Sequence, residues 1–168
     1  MRTGGAAAAI LNGCKADASP SWQPAFMSMD QFKLIGEVAE MIIPETDIAG
    51  AKTALVDRYI DSMLEAFPEE DRKMFLDGLS LFDMKSQELN EKSFMDADED
   101  QRKRVLDAMV EESKNSDGPH IWNLMKEGTV SGYCQSEAGA TQLLTYDPVP
   151  GPYQGCIDFS TVGKTHYM

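Results

Sequence analysis

The chain has 168 residues, 42% of them apolar, enough to bury one core of ordinary domain size and too many for wholesale disorder. Its 15 basic and 28 acidic residues leave a net charge of −13, a surface that repels phosphate backbones and anionic lipid. This argues against a nucleic-acid binder or a basic membrane-facing helix, and is compatible with solubility or a basic partner surface.

Residues 1–14 read MRTGGAAAAILNGC: an arginine, a small apolar tract from Ala6 to Leu11, then Asn12-Gly13-Cys14. The order is that of a secretory signal, and Leu11 to Cys14 resembles a bacterial lipobox with Cys14 as the candidate lipidated residue. Asn12 stands where that motif has a small apolar residue, and no arginine pair precedes the tract. The alternatives are a start further upstream, a degenerate leader or an Ala-rich disordered tail. Residues 1–25 are therefore expected to be a signal-like segment and a Pro/Ser-containing linker, and no segment approaches the length of a membrane span.

From Phe26 onward the pattern is helical. Ser28 and Gln31 have capping-box form ahead of a stripe of Phe32, Ile35, Val38, Ala39 and Ile42. Pro44 stops that helix, Thr46 and Asp47 supply side-chain oxygens to a turn, and Gly50 relaxes the backbone before the next helix. The second helix is predicted from about Ala51 to Ala66, with Leu55, Val56, Tyr59, Ile60, Met63 and Leu64 inward and Asp57, Arg58, Asp61 and Glu65 outward. Pro68 suits the first turn of a third helix, which runs to about Leu89 with Met74, Phe75, Leu79 and Phe82 inside and Gly78 at a close contact.

An acidic connector follows. Asp98 and Gln101 then form a second capping box, starting a fourth helix with Val105, Leu106, Met109 and Val110 inside. Asp117-Gly118-Pro119 is a turn. A fifth helix carries Ile121, Trp122, Leu124, Met125 and Val130 inward and reaches Tyr133, and Ser136 caps a short sixth ending at Leu143 or Leu144. Beyond Tyr146, Pro148, Pro150, Gly151, Pro152 and Gly155 forbid regular helix or central strand. The expected fold is all-α: one bundle of five or six helices over residues 26–146, with an extended Pro/Gly-rich arm over 147–168 that packs on the domain or on a partner.

Catalytic chemistry is poorly represented. His120 and His166 are the only histidines, and neither has a partner at a spacing that marks a nucleophile or general base. Neither follows a glutamate by three residues, as a di-iron bundle requires. Gly151 and Gly155 sit among prolines, not between a strand and a helix as a dinucleotide loop would. Met41, Met63, Met74, Met109 and Met125 fall in or beside helical stripes and read as core filling. Cys134 and Cys156 are open between an intrachain bridge, an interchain bridge and two free thiols.

Three blocks in order resemble the gluconate 2-dehydrogenase subunit 3 family: Ile42 to Asp47 with Ala49-Gly50-Ala51, Gly132 to Ala140, and Tyr146 to Gly151 followed by Tyr153-Gln154-Gly155-Cys156. The resemblance implies an exported, helical, noncatalytic companion of a large FAD-binding subunit of the glucose–methanol–choline class, with no cofactor of its own. That subunit oxidises a sugar or sugar acid, and its electrons leave towards a cytochrome c subunit carrying haem c. The small subunit assists folding and export of its partner, and the periplasm is the implied location. Family leaders carry twin arginines, which this sequence lacks; export by a twin-arginine route from a truncated leader is the expectation that would account for the departure. Candidate interface residues are Pro44, Thr46, Asp47, Tyr133, Tyr146, Pro150, Tyr153 and Phe159. The competing expectation is a free-standing exported lipoprotein that binds a small ligand or an envelope component.

Overall fold

The computed structural model describes residues 22–146 and, further on, residues 149, 151, 152, 155–158, 160, 163, 164, 166 and 167. Six α-helices account for most of this: α1 Met29–Ile42, α2 Val56–Ala66, α3 Glu69–Gly78, α4 Ser80–Asn90, α5 Glu99–Lys114 and α6 Ile121–Gln135. A five-residue π-helical turn, Gly139–Leu143, follows α6. The described strand content is a two-residue parallel ladder, β1 Thr145–Tyr146 with β2 His166–Tyr167. The molecule is all-α, as expected.

Both capping boxes form. Ser28 Oγ accepts from the Gln31 amide at 3.2 Å while Gln31 Oε1 accepts from the Ser28 amide at 2.9 Å. Asp98 and Gln101 repeat the exchange at 2.9 and 3.0 Å. Such caps contribute about 1 kcal/mol each and fix where a helix begins. His120 is the N-cap of α6, its Nδ1 accepting from the Trp122 amide at 3.2 Å.

The α6 helix is central, touching α1, α2, α3 and α5, while α4 lies along α5. The core between them includes Ile35, Val38, Ile60, Leu64, Phe75, Phe82, Val105, Met109, Met125 and Tyr133. Phe94, from the acidic connector, is fully buried and meets Phe82 edge to face at 5.8 Å between ring centroids. Arg102 pins that connector, donating to the carbonyls of Phe94 and Met95 and to Glu37 of α1.

Several expectations are corrected. The predicted third helix is two helices, α3 and α4, meeting at Leu79. There Gly78 lies so near Ile121 that a Cβ would stand 3.1 Å from the Ile121 Cβ. The second helix begins at Val56, because Leu55 adopts a left-handed conformation (φ 58°, ψ 36°) and residues 51–55 form turns.

Asp61, assigned to the solvent face, is 1% exposed. On α6, Val130 is 43% exposed, and the buried positions include Gly128, Thr129 and Gly132. Small residues there let α2 close in: Tyr59 lies where a Gly132 side chain would be, and Ile60 and Met63 face Gly128. Met74 and Leu55, expected inward, are 43% and 46% exposed, whereas Met109 and Met125 are fully buried.

Candidate interaction site

Pro44 cannot continue α1, so the chain leaves the helix and returns through residues 44–55 to α2. What holds this loop is a carboxylate in the last turn of α1. Glu40 Oε1 accepts from the Glu45 amide at 2.9 Å and its Oε2 from the Lys52 amide at 2.8 Å, joining the two ends of the loop. The Ala51 amide donates to the Ile43 carbonyl at 2.9 Å, and Thr53 Oγ1 donates to Glu45 Oε2 at 3.0 Å.

Gly50 is required for space. A Cβ on it would collide with the Glu40 carboxylate and stand 2.6 Å from the Glu45 nitrogen. The expected role of relaxing the backbone is therefore secondary to close approach.

A second support comes from α6. Tyr133, fully buried, donates its hydroxyl to the Ala49 carbonyl at 2.6 Å. Burial raises the phenol above its usual pKa, which keeps it further from ionisation than a solvated tyrosine. Gln142 in the π-helical turn accepts from the Ala49 amide at 3.5 Å through its side chain, and its carbonyl receives Lys164 Nζ at 2.6 Å. The turn is set by Ser136, whose Oγ accepts from the Gly139 amide at 3.0 Å. Three segments far apart in sequence thus converge: the loop, the end of α6 with its turn, and part of the C-terminal arm.

Electrostatics extend the bracing inward. Lys52 Nζ pairs with Glu37 at 2.6 Å, and Glu37 in turn pairs with Arg102 at 3.1 Å. With Lys52 so engaged, the exposed charges at the loop tip are Glu45 and Asp47.

The sequence-predicted residues distribute unevenly. Pro44, Thr46 and Asp47 are exposed on the braced loop. Tyr133 supports the loop from behind. Tyr146 pairs through its backbone with Tyr167. Pro150, Tyr153 and Phe159, like Cys14, lie outside the described residues. Cys134 is half-buried and Cys156 exposed, with no bridge between them.

Glu40 and Gln142 were missed. A carboxylate four residues before Pro44 is a usable signal for Glu40; nothing local marks Gln142.

Among the described residues no group of three or more His, Cys, Asp or Glu side chains is arranged to hold a metal ion. No described helix is long and apolar enough to cross a membrane.

Tyr133→Phe isolates the brace. It removes one hydrogen bond from the Ala49 carbonyl, so stability should fall by about 1 kcal/mol and Tm by about 2–4 °C. Amide exchange within 44–51 should quicken while that of α5 stays unchanged. Equal exchange in both proteins would show that the hydroxyl does not hold the loop.

An all-α domain that presents a braced, solvent-facing polar loop is the class of protein these features define. The model of one family, gluconate 2-dehydrogenase subunit 3, matches residues 29–151, and the chain belongs to that family. The match includes the loop, the α6 end and the start of the arm. No curated protein matches the chain, nor does any solved structure. The family is that of a subunit within a dehydrogenase complex, so the chain works in a multi-subunit partnership.

Proposed function

We propose that this chain is the noncatalytic small subunit of a periplasmic FAD-dependent sugar or sugar-acid dehydrogenase. It assists folding, export and stability of the large flavoprotein subunit, from which electrons pass to a cytochrome c. The observation that carries the proposal is the loop 44–51, whose tip is exposed while its base is fastened by Glu40, Tyr133 and Gln142.

An exposed segment held in one conformation gains nothing for the isolated fold beyond closing the chain. For association it matters, because a loop already ordered loses little further entropy when a partner covers it. Lys164 of the arm is tied to the same place through the Gln142 carbonyl.

The test is co-expression of the large flavoprotein subunit with this chain truncated after Leu144. Soluble yield of the large subunit and dehydrogenase activity are both expected to fall several-fold. Unchanged yield and activity would rule out a role for the arm in assembly. Turnover of a sugar acid by the purified small chain alone would overturn the noncatalytic assignment.

A further inference from the structure

We infer that Leu55 is an anchor that inserts into an apolar socket on the large flavoprotein subunit, with basic groups of the socket's rim facing Glu45 and Asp47. The inference rests on the reading of the chain as a subunit of a flavoprotein complex, and it names the contact that such a complex uses.

Leu55 combines two features that the isolated domain does not explain. Its backbone is left-handed, a conformation glycine or asparagine adopts with far less strain than leucine. Its side chain is 46% exposed, so about half of its surface is left without a partner in this chain to offset that strain. Its main-chain duties are to donate to the Lys52 carbonyl at 3.0 Å and to accept from the amides of Arg58 and Tyr59. A glycine would perform all of these. What leucine adds is a branched, half-exposed apolar side chain on a hydrogen-bonded turn. Strain of this kind, kept where surrounding structure over-determines it, points from the outlier to a function.

The occupant follows from position and charge. Leu55 closes the braced segment that begins at Pro44, in a chain whose family establishes it as one subunit of a complex. The exposed carboxylates of Glu45 and Asp47 lie in the same segment, while the ammonium of Lys52 is held by Glu37. An exposed apolar side chain in one segment with exposed carboxylates that accept only from threonine hydroxyls and pair with no cation among the described residues fits a socket with a cationic rim, which gives steering as well as contact.

The experiment compares wild type with Leu55→Asn and Leu55→Gly, each as the full chain. Melting of the isolated chain and affinity for the purified large flavoprotein subunit are measured. Removing the strain should raise Tm by about 2–5 °C, at least for Leu55→Asn, while affinity falls at least 10-fold. Glu45→Gln with Asp47→Asn should leave Tm nearly unchanged and flatten the salt dependence of the association rate.

A variant that melts higher and binds as tightly as wild type would overturn the anchor. A lower Tm in Leu55→Asn would instead make the side chain part of this domain's own packing. Dissociation of a homodimer by Leu55→Asn would make the occupant a second copy and sink the assignment to the flavoprotein. Failure of wild type to bind the large subunit is a separate result, and it defeats the subunit reading itself.

Discussion

Replacing Gly139 with alanine is expected to destabilise the domain by about 3 kcal/mol and to lower Tm by roughly 6–12 °C. A Cβ at Gly139 would overlap the Tyr133 carbonyl oxygen and approach the Tyr133 carbonyl carbon to 2.8 Å and the Cys134 Cα to 3.0 Å. All three are backbone atoms of the last turns of α6, so no side-chain rotation makes room. Either the helix end or the π-helical turn has to move. Movement of the turn carries Gln142 away from Ala49 and loosens the loop that Glu40 and Tyr133 also hold. The variant should therefore melt lower and also exchange amides faster over 44–51.

Gly118→Ala is the control, since nothing lies within 4 Å of a Cβ there. It should change stability by no more than about 0.5 kcal/mol. Equal stability of the two variants would show that Gly139 tolerates a side chain and that the turn relaxes freely.

The parts of this fold that sequence reveals are those decided within a few residues. Ser28 with Gln31 and Asp98 with Gln101 place two helix starts correctly because each capping box closes over three residues. Pro44 ends α1 for an equally local reason. The pattern fails where a distant partner sets the outcome. Val130 outranks Gly128 and Gly132 in hydrophobicity, yet the glycines face α2, because Tyr59, Ile60 and Met63 need that space.

Leucine carries no preference for left-handed backbone, so the start of α2 could not be read from Leu55. That conformation costs roughly 1–2 kcal/mol, a penalty no propensity scale would invite. Similarly, the loop's exposure was legible but its support was not. Tyr133 and Ala49 are 84 residues apart, and Gln142 and Ala49 are 93 apart. Such links exist only once α6 has packed against α1 and α2.

Asp61 is the clearest case of a residue misassigned by periodicity, and Asp61→Ala tests what it does instead. Its carboxylate is buried because the segment 22–27 folds over it. Oδ2 accepts from Trp22 Nε1 and from the Ala25 amide, each at 3.1 Å, and Oδ1 accepts from the Phe26 amide at 3.4 Å. Two guanidinium groups complete the strap, Arg58 over the Trp22 ring at 5.5 Å and Arg72 over the Phe26 ring at 4.7 Å.

Alanine leaves three donors without their acceptor, and hydrogen bonds to a charged group contribute about 1.5–3 kcal/mol each when intact. Their sum overstates the loss, because a released strap regains water and freedom. A net loss of about 2–4 kcal/mol is expected, with a red shift of Trp22 emission measured in a Trp122→Phe background. Asp61→Asn is not expected to rescue. Whichever way its amide turns, the NH2 group meets at least one N–H that the carboxylate had accepted. Full stability in Asp61→Asn would mean that one oxygen suffices. An unchanged Tm and unshifted Trp22 emission in Asp61→Ala would mean that the strap is held by the cation–π contacts and by packing of Phe26, with the buried carboxylate contributing nothing.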